Sequence, residues 1–258
     1  MKIGVLVKQV PDTETKIRIN AAATGIEGEG IKTIVNPYDE YAIEEALKSR
    51  EKAGGGEVVI VSLGPARAVE SIRTGLAMGA DRGIHIDDGG QVLDSFVTAR
   101  VLANAIQKEN FDLIFCGKQA IDDDAAQVVP MVAEFLNISQ VMVIEKIEFR
   151  EDKKGVTVHR RVGGGAKEVY EVDLPAIFGC EKGLNTPRFA SLPGIMKSKT
   201  KPLAVLKATE LLGDARPKTV NVNYRLPPER KAGRILQGEP EAVVKELVRL
   251  LREEAKVL

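Results

Sequence analysis

Residues 117–127 form the segment with the strongest potential for chemistry, reading Gly-Lys-Gln-Ala-Ile-Asp-Asp-Asp-Ala-Ala-Gln. The segment follows an apolar run that predicts a strand and precedes a pattern that predicts a helix. Free backbone N–H groups at the start of a helix, together with the helix dipole, favour an anion such as phosphate. The three aspartates would serve equally well as a helix cap and first-turn carboxylates without a ligand. The residues alone leave these two interpretations level.

Three other segments are expected to end at the same carboxyl edge of a sheet, namely residues 6–8, 36–39 and 63–65. Open α/β sheets bind ligands in the crevice at that edge, so the four segments together predict a nucleotide pocket. The sequence has no GxGxxG after its first predicted strand and no GxxxxGK[ST] motif. A nucleotide would therefore be held by a different kind of loop.

The other reactive side chains are isolated in the sequence. His85 and His159 have no nearby nucleophile and no metal-like spacing, and Cys116 and Cys180 each end an apolar run without a CxxC pair. Satisfied strand histidines and buried thiols are the expected roles. We predict no catalytic residue and no metal site.

Composition excludes several classes of partner. Lys plus Arg and Asp plus Glu each number 37, and there is no tryptophan, so neither a basic field nor a stacking surface favours nucleic acid. No apolar stretch approaches the roughly 20 residues of a membrane span. We expect a protein of the cytoplasm that is not itself a membrane protein.

Short β-branched runs alternate with helical patterns through the first half, which predicts an α/β fold. A mostly parallel, doubly wound sheet with helices on both faces is expected. The predicted strands are residues 3–7, 57–63, 83–86, 112–116 and 141–148. The predicted helices are residues 38–52, 65–78, 93–107 and 124–136.

The second half of the chain has a different pattern of predicted elements. Residues 155–161, 167–172 and 176–180 are interpreted as antiparallel strands at one edge of the sheet, around the glycines at 163–165. Residues 183–202 and 216–237 lack a helix or strand period and are predicted to be irregular, before a final helix at 239–255. The predicted units are a nucleotide-binding domain (1–182), a partner recognition loop (183–202) and a C-terminal arm and helix (203–258).

Three long motifs carry a family resemblance. They are residues 71–81 (Ser-Ile-Arg-Thr-Gly-Leu-Ala-Met-Gly-Ala-Asp), residues 117–124, and residues 184–197 (Leu-Asn-Thr-Pro-Arg-Phe-Ala-Ser-Leu-Pro-Gly-Ile-Met-Lys). In this order they resemble the beta subunit of electron transfer flavoproteins over essentially the whole chain. The resemblance implies a heterodimer with a larger alpha subunit that carries the redox-active FAD, while the beta subunit holds AMP structurally. It implies an electron carrier rather than an enzyme, which accepts electrons from acyl-CoA dehydrogenases and passes them to a membrane quinone oxidoreductase.

The resemblance also assigns residues to sites. The implied AMP pocket consists of Leu6, Asn36, Pro37, Tyr38, Asp39, Leu63, Gly117, Lys118, Gln119, Ala120, Ile121, Asp122, Asp123, Asp124, Ala125, Ala126, Gln127 and Val128. The implied docking residues for the dehydrogenase are Arg188, Leu192, Pro193, Ile195, Met196 and Lys197, with Leu192 as the anchor. Thr13 stands where ordinary members often have a tyrosine beside the alpha-subunit flavin.

Two alternatives remain open. Residues 10–13, 36–39 and 126–128 are similar to electron-bifurcating relatives, which bind FAD in the beta subunit and oxidise NADH, whereas Asp123 and residues 191–193 are similar to the AMP-binding kind. The second alternative is a regulatory module that binds an adenine nucleotide without redox work. The long recognition-like loop and the C-terminal arm count against that alternative.

Overall fold

The computed structural model describes residues 1–229 and 232–258. Within these ranges the strands are β1 (Lys2–Leu6), β2 (Gln9–Pro11), β3 (Thr33–Val35), β4 (Glu57–Gly64), β5 (Arg82–Asp87), β6 (Leu113–Gly117), β7 (Ser139–Phe149), β8 (Gly155–Arg161), β9 (Lys167–Asp173), β10 (Ala176–Cys180) and β11 (Leu203–Lys207). The α-helices of the same ranges are α1 (Pro37–Lys52), α2 (Val69–Met78), α3 (Ser95–Ile106), α4 (Val128–Leu136), α5 (Leu192–Ser198), α6 (Ala208–Leu211) and α7 (Pro240–Glu253).

Nine strands form one sheet in the order β11-β5-β4-β1-β6-β10-β7-β8-β9. Neighbours from β11 to β7 are parallel, and the two pairs β7–β8 and β8–β9 are antiparallel. A separate antiparallel pair joins β2 and β3. The predicted α/β class with a mostly parallel sheet is confirmed.

Helices cover both faces of the sheet because its buried strands alternate apolar side chains between two cores. On one face Ile60 of β4 packs with Ile43 of α1 and Ile72 of α2. On the other face Val59 of β4 packs with Leu102 of α3 and the adjoining α4. Each such side chain contributes roughly 1.5–3 kcal/mol of burial free energy, so the two cores fix the sheet on which the connecting loops stand.

Strand β10 corrects one prediction. Residues 176–180 were expected at an antiparallel edge, but they lie inside the sheet, parallel to β6 on one side and β7 on the other. All five residues of the run Ala-Ile-Phe-Gly-Cys are buried. A run that is apolar at every position suits a strand covered on both faces, which only the interior of the sheet provides. The predicted hairpin of β8 and β9 is confirmed as an antiparallel edge.

The predicted recognition loop at 183–202 contains helix α5, which the sequence analysis missed. Ser191 begins this helix by accepting a hydrogen bond from the backbone N–H of Gly194 at 3.2 Å. Strand β11 then joins the edge of the main sheet beside β5, so the predicted C-terminal arm (203–258) begins with a strand of that sheet.

The C-terminal arm is largely as expected. Residues 216–229 and 232–237 contain no helix or strand, while Arg230 and Lys231, which also belong to the predicted irregular stretch, lie outside the described residues. The final helix, predicted at 239–255, is α7 at Pro240–Glu253, and it buries none of its residues. Among the helices of the described ranges, none combines the length and apolarity needed to cross a bilayer.

Candidate functional site

A cavity of about 400 Å³ opens at the carboxyl ends of β1, β4 and β6. The chain passes from β1 to β4 on one side and later reaches β6 on the other, so β1 lies at a point where the strand order reverses. Such switch points leave a crevice between the diverging loops. The cavity volume lies within the usual range of roughly 300–1,000 Å³ for small-molecule sites.

Most of the residues predicted for the pocket lie on its wall. These are Leu6, Asn36, Asp39, Leu63, Gly117, Lys118, Gln119, Ala120, Asp123, Ala125, Ala126, Gln127 and Val128. The structure places Pro37, Tyr38, Ile121, Asp122 and Asp124 outside the wall, next to residues that form it.

One wall was missed by the sequence analysis. It comprises Arg67 and Ala68 before α2, Asp88, Gln91, Val92 and Leu93 after β5, and Ser95, Thr98 and Leu102 of α3. A signal was present in the pair Gly89-Gly90, because both glycines have positive φ and follow directly on the carboxyl end of a parallel strand. A turn at that position belongs to the same edge as the other pocket loops.

A buried amide–carboxylate pair fastens the pocket loop to the sheet. The Asp39 carboxylate accepts hydrogen bonds from the backbone N–H groups of Lys8 at 2.7 Å and Gly117 at 2.9 Å, and from the Asn36 side chain at 2.9 Å. The Asn36 amide also donates to the carbonyl of Gln119 at 2.9 Å and accepts from the N–H of Ile121 at 3.2 Å. The ends of β1 and β6 and the loop that follows β6 therefore share one hydrogen-bond network.

The close packing of this network explains Gly117. A Cβ atom at this position would clash with the Asp39 carboxylate and with Tyr38, so the strand end can approach α1 only without a side chain. Burial raises the pKa of Asp39 to about 7, against the three hydrogen-bond donors that favour its ionised form. The carboxylate thus carries an electrostatic cost that its donors only partly offset.

Lys8 neutralises part of the acidic cluster at the cavity mouth. Its ammonium lies 2.9 Å from Asp122 and 3.0 Å from Asp123. Burial opposes the charge on Lys8, but the hydrogen bond and charge of Asp122, with those of Asp123, outweigh that effect and raise the pKa of the ammonium. Two of the three consecutive aspartates are therefore engaged by one cation.

The start of α4 corrects a second prediction. The helix begins at Val128, not at residue 124, because Asp124 and Ala126 have positive φ angles of 49° and 52° that interrupt a right-handed helix. Asp124 accepts a hydrogen bond from the Gln119 side chain at 2.6 Å and does not cap the helix. The residue at the N-cap, Gln127, makes no side-chain cap bond. The first N–H groups of α4 thus have no side-chain cap where Val128 and Val129 line the cavity.

Lys118 supplies a positive charge on the cavity wall. Its ammonium pairs with Glu181 at 2.7 Å and lies 4.8 Å from the centre of the Tyr38 ring. The hydrogen bond to Glu181 raises the pKa of Lys118, so the side chain is a cation at neutral pH. Because Glu181 already balances this charge, the uncapped start of α4 is the feature that makes the cavity suitable for an anion.

Comparison with known proteins shows which family the whole chain resembles. Residues 24–211 match the electron transfer flavoprotein domain. The chain is 42% identical over 258 residues to the mitochondrial electron transfer flavoprotein subunit beta of Arabidopsis thaliana, with both chains covered in full. It is 42% identical to the subunit beta of Bacillus subtilis strain 168 over an alignment of 263 residues that covers both chains in full. The subunit beta of Sus scrofa is 43% identical over 244 residues, which are 93% of this chain and 94% of the relative.

The chain belongs to the family of electron transfer flavoprotein beta subunits. The family predicted from the three sequence motifs is therefore confirmed, and with it a role in electron transfer by a flavoprotein. The motif at 117–124 forms the loop of the cavity, and the motif at 71–81 runs from α2 into the turn before β5.

The third motif of this electron transfer flavoprotein subunit includes residues 187–197, which we call the docking segment after the role that the resemblance implies for them. Its side chains of Leu192, Pro193, Ile195, Met196 and Lys197 are exposed. Phe189, which the sequence analysis did not select, is 98% exposed. Arg188 differs from these residues, because its guanidinium is paired with Glu44 and Glu51 of α1.

Thr13 lies apart from the cavity, in the connection between β2 and β3, and its side chain is exposed. Cys116 and Cys180 are both buried free thiols. Within residues 1–229 and 232–258, no group of three or more His, Cys, Asp or Glu side chains is placed to hold a metal ion.

Proposed function

We propose that this chain is the beta subunit of a heterodimeric electron transfer flavoprotein and holds AMP in the cavity at the end of β1. In this proposal the larger alpha subunit carries the FAD, which takes electrons from acyl-CoA dehydrogenases and passes them to a membrane quinone oxidoreductase. The beta subunit contributes structure and recognition and performs no turnover of its own. Family membership and the geometry of the cavity support this function.

The observation that carries the nucleotide proposal is the helix start at the cavity. The N–H groups of Val128 and Val129 have no side-chain cap at the cavity wall, and Lys118, paired with Glu181, also lines the cavity. These donors suit a phosphate, while Leu6, Leu63 and Leu102 provide apolar wall for a base. The residues present therefore fit a nucleoside monophosphate in size and in chemistry.

The choice of AMP over FAD rests on Asp123. This residue lies on the cavity wall, and its presence in the segment is similar to the AMP-binding members of the family. A carboxylate side chain at this position narrows the wall, whereas a glycine would leave more room for a larger dinucleotide.

The docking segment supports the proposed exchange with acyl-CoA dehydrogenases. Leu192 is 72% exposed and Met196 is 67% exposed, and Lys197 and Lys199 lie beside them at the surface. A small apolar contact framed by cations suits a brief encounter with an acidic surface, because charge speeds association while a small contact area leaves dissociation fast. An electron shuttle requires both properties.

The test is the nucleotide content of the heterodimer, purified after co-expression with its alpha subunit. Acid release followed by chromatography should yield one FAD and one AMP per heterodimer. Two FAD and no AMP would replace the proposal with the electron-bifurcating function. A colourless protein that retains only an adenine nucleotide would indicate the regulatory module. Reduction of the bound flavin by an acyl-CoA dehydrogenase and its substrate then tests the electron donor.

A further inference from the structure

The docking segment is attached to the body of the protein at both ends. At its beginning the Arg188 guanidinium contacts Glu44 through two nitrogens, with Nε at 2.8 Å and Nη2 at 3.0 Å from the carboxylate oxygens. A third nitrogen, Nη1, donates to Glu51 at 2.9 Å, and the backbone N–H of Arg188 donates to Glu44 at 3.1 Å. One residue thus makes four hydrogen bonds to a single helix.

The other end is held by α2. The Arg73 guanidinium donates to the carbonyls of Ser198 and Lys201, and the Lys201 ammonium donates to the carbonyl of Leu76 at 2.9 Å. Helix α5 also touches α2 directly, since a Cβ atom at Gly194 would clash with the carbonyl oxygen of Ala77. The two attachments use different helices, so they fix the orientation of the segment as well as its position.

Between the attachments the segment presents apolar side chains to water. Phe189 is 98% exposed and directly follows Arg188, and Leu192 and Met196 are exposed in α5. Apolar side chains on an unrestrained segment would collapse onto the surface or sample many conformations, and a partner would have to order them on binding. Attachment before binding removes much of that cost.

The positive charge of Arg188 is balanced by carboxylates of the same chain. Its two carboxylate partners raise the pKa of its guanidinium, and Glu44 is nearly buried, with 6% of its side chain exposed. A partner that bound the guanidinium would leave a buried carboxylate without its cation, which is strongly unfavourable. Arg188 is therefore poorly placed to serve as a contact for another protein.

We propose that Arg188 is a positioning residue, which acts through Glu44 to hold the docking segment in the conformation that the electron donor recognises. The inference rests on the proposed function, in which that donor is an acyl-CoA dehydrogenase. It assigns the same functional importance to Glu44, whose burial prevents it from touching any partner.

The experiment uses the intact heterodimer with its alpha subunit in five forms: wild type, Glu44→Gln, Arg188→Gln, Arg188→Lys and Lys182→Gln. Lys182→Gln is the matched control, because Lys182 is an exposed cation close to the segment whose ammonium makes no ion pair among the contacts within the described residues. Two quantities are measured: amide hydrogen exchange over residues 189–198 in the free heterodimer, and the steady-state KM and kcat for the heterodimer as electron acceptor of an acyl-CoA dehydrogenase.

Glu44→Gln and Arg188→Gln should each speed amide exchange in the segment about tenfold and raise KM about fivefold, with kcat unchanged. Arg188→Lys should recover less than half of either effect, because one ammonium cannot reproduce the fork between Glu44 and Glu51. Lys182→Gln should match wild type in exchange.

Unchanged exchange in Glu44→Gln would overturn the proposal. An increase in KM for Arg188→Gln that Glu44→Gln does not share would also overturn it, because that pattern identifies Arg188 as a direct contact. If no acyl-CoA dehydrogenase reduces even the wild-type heterodimer, the proposed function fails. The exchange measurement would still decide whether the ion pair fixes the segment.

Discussion

The cavity loop (residues 117–127) and the docking segment are held in place by similar interactions, one inside the protein and the other at its surface. Neither is a regular extension of the sheet, and both are held by carboxylates of α1. Asp39, in the first turn of α1, holds the start of the cavity loop from inside the protein. Glu44, farther along the same helix, holds the docking segment at the surface through Arg188.

The two regions differ in whether water can replace a hydrogen bond that a substitution removes. Asn36 and Asp39 are 1% and 5% exposed, so water cannot readily satisfy the groups that they leave behind. Arg188 is partly exposed, and a released guanidinium would be hydrated. Damage to the buried network should therefore reduce the stability of the fold and, under the proposed function, its nucleotide content, whereas changes to the exposed side chains of the docking segment should affect partner recognition with little effect on stability.

The largest effect is expected for Asn36→Ala. The substitution removes the amide that joins Asp39, Gln119 and Ile121, and it leaves buried groups without partners. We expect the free energy of unfolding to fall by about 3 kcal/mol and, under the proposed function, the bound nucleotide to be lost during purification. Urea unfolding and nucleotide analysis of the heterodimer measure the two quantities.

Asn104→Ala is the matched control, because the Asn104 amide makes one hydrogen bond, to the carbonyl of Leu211 at 2.7 Å, away from the cavity wall. It should cost about 1 kcal/mol and leave the nucleotide in place. Equal loss of nucleotide in both variants would mean that retention follows global stability and not the local network.

A smaller, pH-dependent effect is expected from Asp39. Burial raises its pKa to about 7 in the folded chain, above the ordinary value of 3.8. Between these two values the folded state holds a proton that the unfolded state has released, so this group makes the free energy of unfolding fall as pH rises. The expected slope is about 1.4 kcal/mol per pH unit below pH 7, and the contribution levels off above that pH.

The measurement compares urea unfolding of wild type and Asp39→Asn at several pH values from 5 to 8. The variant lacks the titrating carboxyl, so the difference between the two free energies should change with pH up to about 7 and then remain constant. Parallel curves over the whole range would show that Asp39 is already ionised at pH 5, with its three donors outweighing the cost of burial.

The same contrast between the two regions explains what could be predicted from the sequence. Residues 117–127 follow β6, so strand periodicity, which is a local signal, was enough to place them at the edge of the sheet. Residues 36–39 follow β3 of the separate two-stranded sheet, a strand that the sequence analysis did not predict. The wall that includes residues 88 and 91–93 was missed because the pair Gly89-Gly90 is a weak signal, and the place of this turn depends on the position of β5 in the sheet. Strand order results from tertiary packing, which a linear pattern does not contain.

Local backbone geometry accounts for other misses. The start of α4 was placed too early because the aspartates satisfy the usual pattern for a helix cap, although the positive φ of Asp124 and Ala126 delays the helix. Helix α5 was missed because it has only seven residues, which include proline and glycine. It is stabilised by contact with α2 rather than by its own sequence.

Leu192→Ala tests the docking segment by removing one of its exposed apolar side chains. Because the side chain is exposed, its removal should change the free energy of unfolding by less than about 0.5 kcal/mol. Under the proposed function it should raise KM about tenfold in the reaction with an acyl-CoA dehydrogenase, while the flavin content is unchanged.

Val205→Ala is the control, because it shortens another exposed aliphatic side chain (62% exposed), on β11. It should leave KM unaltered. An unaltered KM for Leu192→Ala would remove the residue from the docking role.

The smallest effect is expected for Asp124→Ala, at the exposed side of the cavity loop. The substitution removes the acceptor of the Gln119 side chain and places alanine at a φ of 49°. A left-handed conformation costs an alanine about 1 kcal/mol, and that amount should be lost in stability.

The location of the change separates two interpretations of Asp124. Because α4 begins at Val128, hydrogen exchange should become faster at the amides of residues 119–126 and stay the same within α4. Faster exchange in α4 with an unchanged loop would mean that Asp124 caps the helix after all. The cavity loop would then keep its position without Asp124, held by the buried network of Asn36 and Asp39.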